Sequence, residues 1–238
     1  MEALDTIYAT ARAGTTPHRR RVVEVVGPAG CGKTTLARAL CRRPEIALGV
    51  ELPRVDHLPH LLHHTLLMLP AYLRARGEGG WLTWKEMRSM TYCRAWPRRL
   101  ARPDRSGRVT LLDHGPVFRL ARLRAFGPPI TRGAAFDRWW ERSIGLWGGL
   151  LDAVIALDAP DDVLVERIRT RQDRHRMKDQ SDERTEQFLG RYRKTYQEIL
   201  AKLRGPRVLR VDTARERPDE IAARACEELS LLADGDGR

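Results

Sequence analysis

Cysteine is scarce and unpaired in this 238-residue chain. Cys31, Cys41, Cys93 and Cys226 are scattered with no C-x-x-C pair. That argues against a structural zinc site or a disulfide framework and fits a reducing cytosol. Long apolar runs are also missing. The greasiest stretch, Leu61 to Leu73, is interrupted by His63 and His64 and is too short to span a bilayer. The first residues, Met1-Glu2-Ala3-Leu4-Asp5, are acidic with no apolar core, so no secretory signal is expected. A soluble, cytoplasmic protein with no membrane partner is the resulting expectation. No repeat, low-complexity tract or linker divides the chain, which favours a single domain over residues 1–238. Acidic residues are the minority among the charges, 31 Asp and Glu against 43 Lys and Arg, a formal net charge of +12. That balance admits a nucleic-acid partner. Yet the arginines are spread along the chain, as in Arg19-Arg20-Arg21, Arg98-Arg99 and Arg167 to Arg176. Neither an aromatic-and-glycine RNA-binding signature nor an added DNA-binding module accompanies them. A basic surface equally suits small polyanions such as nucleotides, so nucleic acid is not the favoured partner.

What the chain does contain is a phosphate-binding loop. Gly27-Pro28-Ala29-Gly30-Cys31-Gly32-Lys33-Thr34-Thr35 fits G-x-x-x-x-G-K-[ST]. It follows the apolar run Val22-Val23-Glu24-Val25-Val26, read as a buried strand, and precedes Leu36-Ala37-Arg38-Ala39-Leu40, read as a helix. Strand, glycine loop and helix in that order are the context this motif requires. Glycines let successive backbone N–H groups point inward, and the helix N-terminus adds partial positive charge. Lys33 is placed to reach the β- and γ-phosphates, and the Thr34 hydroxyl to ligate Mg²⁺. The ligand implied is a nucleoside triphosphate, ATP or GTP, with Mg²⁺. Cys31 reads first as a small loop residue, although the helix N-terminus would act to lower its pKa.

Strands and helices alternate through the rest of the chain. A first helix is expected over Glu2 to Ala13 and a second strand over Ile46 to Leu52. Residues from Leu58 to Leu100 have helical character, in two helices separated by Gly77-Glu78-Gly79-Gly80. A strand over Arg108 to Asp113 follows. A helix begins at Pro116 and breaks at Gly127-Pro128-Pro129, and the next runs from about Arg132 to Trp147. The strand Ala153 to Asp158 leads to an aspartate-capped helix over Asp161 to Arg171. A helix from Arg184 to Leu203, a strand from Arg207 to Val211 and a helix from Pro218 to about Leu232 complete the order, with a frayed tail. This is α/β: a three-layer P-loop NTPase fold, with a five-stranded parallel sheet, helices on both faces and ligands at the strand C-terminal ends.

Asp113 ends an apolar strand where an NTPase needs a carboxylate beside the Mg²⁺ shell, making it the second key position. With it the chain resembles P-loop kinases of the thymidylate kinase and deoxynucleoside kinase group, in the nucleoside monophosphate kinase superfamily. The resemblance rests on the GPAGCGKTT loop and on Leu111-Leu112-Asp113-His114-Gly115-Pro116. It rests further on Val154 to Pro160 with Arg167-x-x-x-Arg171, on Phe188-Leu189-Gly190-Arg191-Tyr192, and on Val208 to Thr213. It frames residues 20 to 232, except the region between Glu51 and Arg105. The resemblance implies a lid over residues 171–183 and an acceptor-binding helical insertion over residues 57–102. It also makes Arg167, Arg171 and Arg174, with Arg176 behind them, stabilisers of phosphoryl-transfer charge. Thymidylate kinases carry an arginine directly after the strand-end aspartate. His114 stands there in this chain, which weakens the case for a nucleoside monophosphate acceptor and leaves room for an unphosphorylated one. The candidates for a general base are Glu51, Asp56 and Asp113 itself.

Two other clusters invite chemistry and are read as structure. His57, His60, His63 and His64 lack the convergent carboxylates a zinc site needs. Trp81, Trp84, Phe136, Trp139, Trp140 and Trp147 fall at near-helical spacing and are expected to pack. The expected function is an ATP-dependent phosphotransferase acting on a small-molecule phosphate acceptor, with Lys33, Asp113, Arg167, Arg171 and Arg174 carrying the chemistry. The competing expectation is a nucleotide-dependent ATPase or switch acting on a macromolecule. The sequence leaves the oligomeric state open, a homodimer included.

Overall fold

A computed structural model describes residues 20–49, 62–63, 66, 82–100, 108–172 and 175–234. The expected first helix, the end of the tail, Glu51, Asp56, His57, His60, His64, Trp81 and Arg174 lie outside them.

Five parallel strands, β1 (Val22–Val26), β2 (Ile46–Leu48), β3 (Val109–Asp113), β4 (Ala153–Asp158) and β5 (Arg207–Asp212), form one sheet in the order β2-β3-β1-β4-β5. The central strand, β1 (Val22–Val26), is buried along its whole length. β-Branched valines suit a strand covered on both faces, where no solvent side demands alternation. It pairs with β3 (Val109–Asp113) on one side and β4 (Ala153–Asp158) on the other. The outer strands are β2 (Ile46–Leu48) and β5 (Arg207–Asp212). The chain therefore leaves β1 in one direction for β2 and β3 and later fills the other side with β4 and β5. Such a reversal opens a crevice beyond the strand C-termini, where ligands bind in sheets of this kind. The second strand is shorter than expected: it ends at Leu48, although the Gly49 N–H still donates to Leu111 O at 2.7 Å.

Seven α-helices accompany the sheet among the described residues: α1 (Lys33–Leu40), α2 (Trp84–Leu100), α3 (Pro116–Phe126), α4 (Ala134–Gly148), α5 (Asp161–Thr170), α6 (Asp182–Lys202) and α7 (Pro218–Asp234). Helix α3 opens with Pro116 in its first turn, where the missing N–H costs nothing. It stops at Gly127, and a short 3-10 turn over Pro129–Arg132 delays α4 to Ala134.

The stripe Phe136, Trp139, Trp140, Ile144 and Trp147 faces inward, as its spacing required. Each fully buried ring contributes roughly 2–3 kcal/mol of transfer free energy. Two of the indoles also bridge helices. Trp140 Nε1 donates to Leu120 O of α3 at 3.2 Å, and Trp147 Nε1 donates to Cys93 O of α2 at 3.0 Å. These contacts hold α2 and α3 in place over the strand ends. Trp84 departs from the expectation: as the first residue of α2 it is 67% exposed.

The cap of α5 also differs. Pro160 holds the N-cap position without a side-chain bond, and Asp161 lies inside the first turn. Asp161 instead accepts from Arg193 of α6. The same guanidinium reaches both Asp158 oxygens, at 3.0 and 2.9 Å, and Ala159 O at 2.7 Å. Arg193 thus clamps the β4–α5 turn, which lies against the phosphate loop.

Candidate active site

The loop after β1 has the backbone its glycines were expected to provide. Gly27, Gly30 and Gly32 have φ of 148°, 83° and 87°, a region L-residues rarely enter. Gly32 is the N-cap of α1, with no side-chain cap and no acidic residue in the first turn. The first N–H groups of this helix are thus left for an anion. Lys33 opens the helix, and its Nζ donates to Gly27 O at 2.9 Å and Pro28 O at 2.7 Å. A cavity of ≈ 770 Å³ opens over the loop, lined by Gly27 and by every residue from Ala29 to Thr35. Pro28 does not line this cavity, and its carbonyl accepts from Lys33 Nζ. Cys31 does not behave as a helix N-terminus alone would dictate. It is fully buried, and burial pushes its thiol up despite the Lys33 ammonium and backbone bond.

Asp113 arrives from the neighbouring strand. Its Cα pairs with Val25, two residues before Gly27, so the carboxylate stands beside the loop. Its Oδ1 atom is buried with no hydrogen-bond partner. An orphaned carboxylate oxygen near a phosphate site fits a hard cation, and the exposed Thr34 hydroxyl lies at the start of α1. No group of three His, Cys, Asp or Glu side chains gathers among the described residues. A single carboxylate and a hydroxyl suit Mg²⁺, which keeps waters and takes substrate phosphates as ligands. His114 follows with a φ of 56°, in the left-handed region. Its Nδ1 lies 3.6 Å from Asp113 Oδ1, and its ring meets Phe118 edge-on at 4.4 Å. Burial lowers the His114 pKa; Asp113 opposes this, and Lys33, Arg119 and Arg122 add to it.

Sequence reasoning missed Glu24. It is fully buried in β1, yet its Oε2 accepts from Val117 N and its Oε1 from Phe118 N, both at 2.9 Å. A strand residue therefore caps α3, whose own N-cap is Gly115 without a side chain. A Cβ on Gly115 would stand 2.6 Å from the Glu24 carboxyl carbon, so only glycine admits this approach. The signal was a lone carboxylate inside an apolar run. Burial pushes Glu24 from 4.5 up to about 8, against the two N–H bonds and Arg119. Between those values the folded protein holds a proton that the unfolded chain has released. Stability should therefore fall as pH rises from about 4.5 through about 8. Urea unfolding of Glu24→Gln across that range should show a flatter profile, at a cost of about 1 kcal/mol for one lost acceptor. Glu24→Ala should cost about 3 kcal/mol, because it orphans two N–H groups and leaves a void. An unchanged slope in Glu24→Gln would remove Glu24 as its source.

A second cavity, of ≈ 410 Å³, lies on the β2–β3 side, between α2 and α3. Lys85, Arg88, Ser89 and Tyr92 line it from α2, and Arg119 and Arg122 from α3, with Asp113 exposed to it. His114 and Phe118 line both cavities and form the wall they share.

Of the expected arginines, Arg167 and Arg171 line the loop cavity. Arg167 is turned toward the β5–α7 connection, donating to Thr213 Oγ1 and Thr213 O, both at 2.9 Å. Arg176 is drawn into an aromatic cluster, its guanidinium carbon 4.7 Å from the Phe126 ring and 4.4 Å from Phe188. Lys178 Nζ donates to Arg171 O at 2.7 Å and folds the basic segment back on itself. His175 lines the loop cavity as well, its pKa lowered by burial and then by Arg171, Arg176 and Lys33.

A family profile described as an AAA domain matches residues 22–199. No curated protein matches the sequence. Among solved structures, deoxyadenosine kinase from M. mycoides with bound dCTP superimposes with a TM-score of 0.50 at 14% identity, covering 87% of this chain and 99% of that one. The same enzyme with bound dATP gives 0.50 at 12% identity over the same shares. At such identity the likeness concerns the fold.

Proposed function

The chain belongs to the AAA domain family, and from that premise we propose that it is an ATP-dependent phosphotransferase. The γ-phosphate of ATP, or of GTP, would move to a small-molecule acceptor such as a nucleoside, nucleotide or similar metabolite. One observation carries this reading. A phosphate-loop cavity and a second cavity meet at His114 and Phe118, and Asp113, next to His114, lines the second.

The residues divide the work. Backbone N–H groups of the loop from Gly27 to Thr35 cradle the phosphates. Lys33 exchanges its bonds to the Gly27 and Pro28 carbonyls for the β- and γ-phosphates. Thr34 and Asp113 would hold Mg²⁺, which when bound neutralises and aligns those phosphates. A loose transition state spreads charge over the equatorial oxygens, so guanidinium groups placed around it stabilise transfer. Arg167, Arg171 and Arg174 take that role, with Arg167 steadied by Thr213. The basic segment over residues 171–183 acts as a lid that keeps water from the reacting phosphorus. Residues of α2, from the insertion over residues 57–102, supply the acceptor side.

The +12 charge keeps one competitor in play, an ATPase driven by nucleic acid. ADP release measured with single- and double-stranded DNA and RNA, and separately with small acceptors, discriminates the two. Nucleic acid is expected to leave turnover unchanged. A roughly tenfold stimulation by nucleic acid, with no phosphorylated small product, would overturn the transferase reading.

A further inference from the structure

A third cavity, of ≈ 690 Å³, lies between α6 and the ends of β4 and β5, against Gly27 and Pro28 of the phosphate loop. Its wall is largely apolar, with Val26, Ala156, Leu157, Leu200 and Val211 among the lining residues. The Tyr196 ring closes one side, 5% exposed and stacked on Tyr192 with centroids 5.7 Å apart. Its hydroxyl is buried without a hydrogen-bond partner, and burial keeps it protonated, well above the usual tyrosine range. Three carboxylates and two guanidinium groups complete the lining. Arg193 engages Asp158 and Asp161. Asp212 is held by its own turn, 3.2 Å from Arg215 Nε and accepting from Ala214 N at 3.0 Å. Arg210, which pairs with Ala156 across β4 and β5, is left without a carboxylate among the described residues. The cavity therefore has one uncompensated charge, a cation at its exposed mouth.

An apolar wall, a free guanidinium at the mouth and a buried donor with no acceptor match one class of ligand, an apolar molecule carrying a single anionic group. We infer that this cavity is an effector site for a small apolar anion, held at its charged end by Arg210, whose binding alters the affinity of the phosphate loop for nucleotide. The route between the two sites is short. Gly27 and Leu157 line both this cavity and the loop cavity. Lys33 bonds the Gly27 and Pro28 carbonyls and exchanges them for phosphates when nucleotide binds. The two residues that wall the third cavity thus carry different bonds in the two states, and a ligand resting on them binds the states unequally. By linkage the nucleotide feels the same factor in return. The site stands whether or not the protein transfers phosphate, since it requires only that the loop binds nucleotide.

The test uses anilinonaphthalene sulfonate as the apolar anion and phenylnaphthylamine, the same rings without the sulfonate, as its neutral match. Both are titrated by equilibrium dialysis into the full chain, with ADP and Mg²⁺ saturating the loop cavity. One sulfonate per chain is expected, bound roughly tenfold more tightly than the neutral amine, the worth of one charge-assisted contact. Arg210→Ala should abolish that preference. Gln197→Trp places a large ring at an exposed lining position of α6 and should weaken both probes. Lys194→Ala removes an exposed α6 cation outside the cavity and should change neither. Thermal unfolding verifies that each variant is folded. Saturating sulfonate should shift the ADP dissociation constant about fivefold, and ADP should shift that of the sulfonate by the same factor. Sulfonate binding that is indifferent to Arg210 and Gln197, or that depends equally on Lys194, would overturn the site. An ADP affinity unmoved by saturating sulfonate would overturn its role as an effector site.

Discussion

Asp113→Asn is expected to lower kcat by about 10³-fold while leaving the unfolding midpoint unchanged or slightly raised. The side chain keeps its volume, so packing at the end of β3 is undisturbed. What changes is one atom, since the amide offers a donor where a phosphate-bound cation needs an acceptor. The wild-type Oδ1 is buried without a partner, so the folded protein has no hydrogen bond there to lose. A second consequence follows from the same geometry. Asp113 stands across from Val25 and beside the loop, so the Mg²⁺ concentration for half-maximal turnover should rise in the variant, while ATP-analogue binding without metal stays near wild type. Kinetics across a Mg²⁺ titration, paired with thermal unfolding, check both. Near-normal turnover at low Mg²⁺ would remove Asp113 from the site.

Gly27→Ala should be the most damaging small substitution in the loop. A Cβ there would stand 2.2 Å from Leu157 O and 2.6 Å from Cys31 Sγ, on a backbone with φ of 148°. Leu157 belongs to β4, whose turn is clamped by Arg193, so the carbonyl has little freedom to retreat. Steric overlap and backbone strain together should cost about 3 kcal/mol or more and spoil the loop's N–H array. Gly32→Ala makes a matched comparison. Its φ of 87° is also left-handed, but an added Cβ meets nothing within 4 Å. The cost should then be about 1 kcal/mol, from conformation alone. Urea unfolding of both variants without nucleotide separates the two causes. Equal losses would mean that the approach of β4 to the loop is not what demands glycine at position 27.

The phosphate-loop part of the candidate site was largely legible in the sequence because it is local. The loop, its preceding strand and its following helix lie within 19 residues, Val22 to Leu40, and each glycine serves the conformation its spacing implied. The place of Asp113 at the end of β3 was legible for a similar reason, as a polar residue closing an apolar strand. What escaped depends on distant contacts. Glu24 looks like an interruption in β1 until α3, 93 residues later, points two N–H groups at it. Arg167 sits on the expected helix face, yet Thr213 captures it, because β5 pairs with β4 and brings its exit loop alongside. Cys31 illustrates a contest of effects, in which burial outweighs the helix N-terminus. Arg119 and Arg122 of α3 line the second cavity at i,i+3 spacing, and the Tyr92 and Ser89 they meet belong to α2, a contact no local pattern announces.

The central claim is that the two cavities work as donor and acceptor halves of one phosphotransferase. The most direct measurement is the partition of label from γ-labelled ATP with Mg²⁺ across a panel of phosphorylated and unphosphorylated small molecules, with Lys33→Ala as the inactive control. The expected result is label on an organic acceptor, lost in Lys33→Ala. Label recovered from the active protein only as free phosphate, whichever acceptor is supplied, would contradict it.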